Sequence, residues 1–417
     1  MVESVRVPGQ MRRPSIIRPD GLPLVTFVPT AHRHDQGFCE GKRSAEGPVA
    51  ETHGKQPDHW LALGPPGSGG SWGCRIESVG VKLPAERLTT RDLMSRTSHR
   101  TRIQLERLTG IHERHVVGPG ENSFTLAAGA ARDCLSHSQH QPQDIQMLIS
   151  TSITRSRGRY TQSFEPPLSL YVKQAMGAAQ AANFDLSNAC AGMLTGVFVL
   201  QGLIARGEIS CGMVVSGEYI SHLSWNAARQ IRSLFSKQLA SLTLGDAGAA
   251  VIVERAPGGA GIDVIGFTTL AEHSRLCLAF PSTMGPGAQM YTKSRTLQKV
   301  AIDDMAPLVA EAIGEAGIDL ADIDYMFPHQ TSARAIRAGT REFVRRLGAR
   351  PKHVVVNLEE FGNTSSTTLF VALHKYLQEQ RIHKGDRVML LALASGIEIG
   401  IAVFSIDSQV DHYGRTH

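Results

Sequence analysis

The sequence predicts an α/β protein with mostly parallel sheets, and three observations carry that prediction. From Arg75 onward, apolar runs of strand length alternate with helical segments. The same order of strands and helices comes twice, over about 75–256 and 257–410, without a strict sequence repeat. Finally, 417 residues at 42% hydrophobic content can bury a large core.

The elements read as follows. SFTLAAGAARDCL, beginning at Ser123, is a helix that precedes the buried strand MLISTSI (147–153). FDLSNA (184–189) is a short strand running into a long apolar helix that Gly207 ends. CGMVVSGE (211–218) and GAAVIVER (248–255) are strands. In the second stretch, DYMFPHQ (324–330) leads into the helix SARAIRAGTREFVRRLG. HVVVNL (353–358) is a strand followed by a Gly-Asn turn and the helix STTLFVALHKYLQEQ. DRVMLLALASG and IGIAVFSI close the chain as a strand pair.

Residues 1–74 differ from the rest. They hold 11 Gly and 9 Pro, against 30 Gly and 11 Pro in the other 343 residues. Such a stretch reads as a low-complexity, disordered extension ending in the linker GPPGSGGSWG. It lacks the apolar run of a secretory signal, and its arginines resemble a transit peptide only weakly. The net charge of +5 is small and scattered, which argues against nucleic acid. No run offers about 20 clean apolar residues, so no membrane span is expected. The six cysteines show neither disulfide nor metal-ligand spacing and fit a reducing cytoplasm.

Three segments carry candidate chemistry. In Ser187-Asn188-Ala189-Cys190-Ala191-Gly192, the cysteine sits where a strand gives way to a helix, among small residues that allow close approach. A thiol at a helix N-terminus is expected to have a stabilised thiolate, which makes a nucleophile without a strong base. His329 in Pro328-His329-Gln330-Thr331-Ser332 lies at the C-terminal end of a strand, where α/β folds place their sites. Asn363 follows Gly362 in a turn backed by hydroxyl residues. Taken alone, each has an ordinary structural reading, as buried thiol, surface histidine or turn asparagine. Together they suggest a thiol nucleophile with two hydrogen-bonding partners, brought together only by folding.

These segments resemble the 3-oxoacyl-acyl-carrier-protein synthase III family of the thiolase superfamily. The resemblance runs over about residues 75–406. It includes VGVKLPAERLTTRDL, LTGIHERHVV, FDLSNACAGM, LGDAGAAVIVE, FPHQTSARAI, LEEFGNTSSTTL and LALASGIEIGIAVF, in the family's order. It implies two duplicated βα halves in a layered α/β/α/β/α architecture, 75–256 with the nucleophile and 257–417 with His and Asn. It implies that Cys190 accepts an acyl group from CoA or an acyl carrier protein. His329 and Asn363 then polarise the carbonyl of a malonyl-type thioester, which loses CO2 and attacks the acyl-Cys. Backbone N–H groups of Cys190, Ser395 and Gly396 would bind the oxyanion. No bound cofactor is implied, and a cytoplasmic homodimer is.

Several positions depart from the family. Ala394-Ser395-Gly396 replaces a run of three glycines, Ser332 stands where a pantetheine-binding Asn is usual, and Gln104 falls about where many members have an adenine-stacking Trp. The segment between Trp225 and Gly245 is long, and Arg229 or Arg232 within it are candidates for a CoA phosphate. Arg334, Arg337 and Arg341 share a helix face that an acidic carrier protein would meet, or that is simply solvated. The pattern indicates a specialised member in fatty-acid or polyketide biosynthesis. Acyl transfer, or condensation of two acyl chains without decarboxylation, remains the alternative on the same acyl-Cys. A non-catalytic partner subunit is disfavoured by the joint presence of Cys190, His329 and Asn363.

Overall fold

The computed structural model describes residues 61–63, 73–99, 103–158, 161–256, 261–282 and 287–414. The expected disordered extension lies outside these residues, apart from Leu61–Leu63 and the last two positions before Arg75. Leu61–Leu63 is a strand, paired antiparallel with Ile265–Phe267. Cys74, the last residue of the expected extension, already begins a strand.

Two sheets form the body. The second half supplies, in spatial order, Ile262–Thr269, Glu398–Ser405, Arg387–Ala394, Tyr325–Pro328 and His353–Val354, with Leu61–Leu63 added outside Ile262–Thr269. The first half supplies Cys74–Lys82, Ala247–Arg255, Cys211–Glu218, Met147–Ser150 and Ala182–Asp185. Position by position, these are the same five strands in the same order. The duplicated βα pattern is therefore one topology used twice.

The sheets are mixed, where the alternation of elements predicts mostly parallel pairing. Parallel pairs surround Met147–Ser150 and Tyr325–Pro328. The strands flanking them run antiparallel. The reason is local where Ala394 and Glu398 face each other across three residues, because so short a connection permits only an antiparallel return. HVVVNL also differs from expectation, since only His353–Val354 is strand. Beyond it the side-chain amide of Gln330 takes over: its nitrogen donates to Val355 O and its oxygen accepts from Asn357 N. The backbone stays paired without continuing the ladder.

Two helices lie between the sheets, Gly192–Ala205 from the first half and Thr368–Gln378 from the second. Leu194, Val197, Phe370 and Leu373 pack there with Val214, Val251, Leu390 and Ala402, all buried. Each such side chain contributes roughly 1.5–3 kcal/mol when fully removed from water. Ser123–Ser136 and Leu168–Met176 cover the outer face of the first half's sheet, and Ser294–Glu315 covers that of the second half. The result is the α/β/α/β/α layering. Gly196 makes the central packing possible, because a Cβ there would stand 2.6 Å from Val214 Cγ1.

Candidate active site

Cys190 occupies a single 3-10 turn, Ala189–Ala191, that leads into the Gly192–Ala205 helix. That helix has no side-chain cap, so its first N–H groups are left for the turn or a ligand. Gly192 is packed close to Thr151, whose carbonyl oxygen would lie 3.1 Å from an added Cβ. Ala189 has φ 42° and Ser365 has φ 61°. Two of the three non-glycine residues with positive φ among the described residues therefore flank the thiol. Such conformations cost of order 1 kcal/mol or more and persist where surrounding structure imposes them.

Ser365 ties the two halves together at this point. Its Oγ is 3.4 Å from Cys190 Sγ, and its backbone N–H donates to Asn363 Oδ1 at 2.9 Å. Asn363 is held against the first half from both sides of its peptide. Its N–H donates to Thr243 O, and its carbonyl accepts from Gly245 N. Gly362, with φ 66°, permits this approach, since a Cβ would meet Thr243 O at 2.7 Å. Thus the LGDAGAA and GNTSS segments, far apart in sequence, are clasped.

The glycine-poor turn Ala394-Ser395-Gly396 reaches the same place. Asn188, two residues before the cysteine, donates from Nδ2 to Glu398 Oε1 at 2.7 Å and to Thr195 Oγ1. Glu398 begins the strand that follows the turn, and both strands flanking the turn pack on the cysteine turn. His329 lies at the end of the strand next to this pair. It follows Tyr325–Pro328, and its N–H donates to Leu391 O at 2.9 Å. Its ring is buried, and Nδ1 is left without a hydrogen-bond partner.

Electrostatics correct one expectation. Burial pushes the Cys190 thiol up to about 12, and the Ser365 hydrogen bond only partly opposes this. The resting group is a neutral thiol, where the helix N-terminus predicts a stabilised thiolate. The turn is walled by apolar groups, and the negative charge of Glu218 adds to the upward push. Burial moves His329 the other way, down to about 4, so its imidazole is neutral at pH 7.

Glu218 carries a structural burden that sequence reading missed. It is the last residue of an apolar strand and is fully buried. It accepts from Ile153 N, Thr154 N, Thr154 Oγ1, Ser216 Oγ and Ser366 Oγ. Ser366 adjoins Ser365, so this carboxyl anchors the turn that touches the thiol. A lone acid ending an apolar run was its only sequence signal. Asp246 acts similarly, accepting from Val117 N, Ile220 N, Ser221 N and Ser221 Oγ.

The other candidates lie apart. Arg229 and Arg232 are exposed and make no hydrogen bond to Cys190, His329 or Asn363. Ser332 is the N-cap of Ala333–Leu347, its hydroxyl accepting from Ala335 N. Arg334, Arg337 and Arg341 are exposed on that helix.

Comparison with known proteins places the chain in a family. Family models described as 3-oxoacyl-[acyl-carrier-protein (ACP)] synthase III and its C-terminal part match residues 184–272 and 313–406. A beta-ketoacyl-[acyl-carrier-protein] synthase III of Symbiobacterium thermophilum is 33% identical over 341 residues, covering 78% of this chain and 96% of that protein. The chain belongs to the 3-oxoacyl-[acyl-carrier-protein] synthase III family. It is accordingly an acyl-transferring condensing enzyme. The synthase III of Roseiflexus sp. is 30% identical over 335 residues, covering 78% and 95%. Among solved structures, the synthase III of Aquifex aeolicus shares the fold at TM-score 0.68 and 24% identity, covering 80% of this chain and 100% of that one. The priming β-ketosynthase of the R1128 polyketide pathway does so at TM-score 0.69 and 23% identity, covering 81% and 97%. OleA of Xanthomonas campestris does so at 0.67 and 24%, covering 80% and 96%. Among the described residues, no helix is long and apolar enough to cross a membrane.

Proposed function

We propose that this synthase III family member takes an acyl group onto Cys190 and extends it with a malonyl-type thioester, using His329 and Asn363. The observation that carries this reading is the contact of the Cys190 thiol with Ser365, which also holds Asn363. Cys190 sulfur attacks the acyl thioester carbonyl, and the C–S bond to the carrier breaks. The thiol proton of Cys190 passes to the displaced carrier sulfur. The oxyanion formed on the way is met by backbone N–H groups of Cys190 and of the Ser395-Gly396 turn. The malonyl-type thioester then loses CO2, and its enolate carbon attacks the acyl carbonyl and releases the Cys190 sulfur. A neutral imidazole and a side-chain amide are suitable donors for the enolate oxygen, since neither must first lose a charge.

The acyl donor is CoA or an acyl carrier protein. Exposed Arg334, Arg337 and Arg341 suit an acidic carrier protein, and Arg229 and Arg232 a CoA phosphate. Ser332, as a helix cap, supports that surface from behind. The domain division at about residue 256 follows the change from one sheet to the other. A cytoplasmic homodimer is part of this reading, in which a partner subunit would cover exposed apolar residues such as Phe164, Ile153 and Phe184 of the Ala182–Asp185 edge strand. The test is to incubate purified protein with a panel of acyl-CoAs and acyl carrier proteins, and to read the mass on Cys190. Adding malonyl thioester should then release CO2 in proportion to product. An acyl adduct with an ester, amide or non-decarboxylated product and no CO2 would establish the acyl-transfer alternative instead.

A further inference from the structure

A second cluster of ligating side chains lies away from the thiol, at the free edge of Cys74–Lys82. Asp133 and His137 are four residues apart at the end of the Ser123–Ser136 helix, and His137 is its C-cap. His374 and Gln378 are four residues apart on Thr368–Gln378. Each pair shares a helix face, and the two faces meet. His374 Nε2 lies 3.2 Å from Asp133 Oδ2, and His137 Nε2 lies 3.8 Å from Asp133 Oδ1. One ligand atom from each of the three residues lies within 4.8 Å of the others.

We propose that Asp133, His137 and His374 form a binding site for a zinc-type divalent ion that fastens the C-terminal segment to this edge. Two donors bound about 2.0–2.1 Å from a tetrahedral zinc stand about 3.3 Å apart, close to the spacing seen. Two imidazoles and one carboxylate are a donor set that zinc accepts, with the fourth position left for water. His137 has the tautomer a ligand needs. Its Nδ1–H donates to His412 O at 3.0 Å, which leaves the Nε2 lone pair facing the cluster.

His374 adds a second sign. Its Nε2 is buried and lies 3.2 Å from Asp133 Oδ2, so imidazole and carboxylate already face each other. Asp133 is held in place separately, since Oδ2 accepts from Val81 N at 2.7 Å. Gln378 Nε2 now donates to His137 Nε2 at 3.0 Å. Ion binding at His137 Nε2 replaces that bond and frees the Gln378 amide. The three ligands are only partly buried, with side-chain exposures of 33%, 16% and 15%, so an ion has a path in.

The C-terminal segment closes over the cluster. Tyr413 stacks on the His137 ring at 4.4 Å and meets His374 edge-on. Its hydroxyl both accepts from Val79 N and donates to Val79 O on the open strand edge. An ion here joins two helices from different halves, and through His137 the segment that covers them.

The test uses the full chain after chelator treatment, titrated calorimetrically with zinc chloride and separately loaded with Co2+. One equivalent should bind, and its Co2+ form should show d–d bands without thiolate-to-metal charge transfer. That spectrum separates it from any site made with a cysteine. His137→Ala and His374→Ala should lose this equivalent. Asp133→Asn, which keeps an oxygen for Val81 N, should weaken it at least tenfold. Zinc should raise the melting temperature of the parent and not of Asp133→Asn. Absence of a thiolate-free equivalent in the parent overturns the proposal, as does its undiminished retention in both histidine variants. Should those variants fail to fold, undiminished zinc affinity in Asp133→Asn overturns it equally.

Discussion

Cys190 and His329 both stand beyond the C-terminal end of a strand, and burial acts on them in opposite directions. It raises the thiol to about 12 and lowers the imidazole to about 4. Desolvation penalises whichever form is charged, so both groups rest neutral near pH 7. Their second neighbours differ. Cys190 has the Ser365 hydroxyl, backed by Glu218, while the His329 Nδ1 has no partner. The first group is thus engaged by the Ser365 hydroxyl, whereas the second has no hydrogen bond from the protein at Nδ1. This division suits a site in which one side chain is acylated and the other only polarises.

The largest effect tests the first member of the pair. Cys190→Ala should abolish the acyl adduct by mass spectrometry and all condensation. An unchanged adduct would remove Cys190 from the mechanism. For the second member, His329→Ala should lower condensation by about 10²–10³ while acylation of Cys190 proceeds. Equal loss of both steps would show that the two residues do not divide the chemistry.

The pH profiles sharpen the contrast. With the thiol raised to about 12, alkylation of Cys190 by iodoacetamide should rise about tenfold per pH unit from 6 to 9. A plateau near pH 7 would mean that the helix N-terminus outweighs burial. His329 behaves oppositely. Below its ordinary value the unfolded chain binds a proton that the folded chain refuses until about pH 4. Stability is therefore lost as pH falls through that window, by about 3 kcal/mol in full. Acid unfolding of His329→Asn should be displaced to lower pH, as followed by circular dichroism.

Smaller effects concern the supports. Glu218→Gln keeps the shape but puts an N–H₂ among five donors, and should cost about 1–3 kcal/mol by denaturant unfolding. It should also slow acylation, because Ser366 loses its anchor beside Ser365. Ser332→Ala should cost about 1 kcal/mol by denaturant unfolding, through the lost cap.

Much of this was legible in the sequence, for identifiable reasons. Strand-length apolar runs gave Met147–Ser150, Cys211–Glu218 and Ala247–Arg255, since buried strands need little but apolar side chains. Small residues around Cys190, and glycine before Asn363, reported turns that only such residues allow. HVVVNL misled because β-branched residues favour strand, while a side-chain amide from Gln330 ended the ladder. Strand direction was equally hidden, because periodicity reveals a strand and not its neighbour.

By itself, then, the sequence determined the alternation of elements, their repetition and the three segments bearing Cys190, His329 and Asn363. These follow from local preferences and from motifs a few residues long. Tertiary structure decided the rest. It set the protonation of the thiol and imidazole, because desolvation depends on walls supplied by distant segments. It made Glu218 an anchor rather than a stray acid. It also joined Asp133 and His137 to His374, 237 residues further on. Hydrogen bonds and dielectric act through space, and only the folded chain fixes what lies within reach.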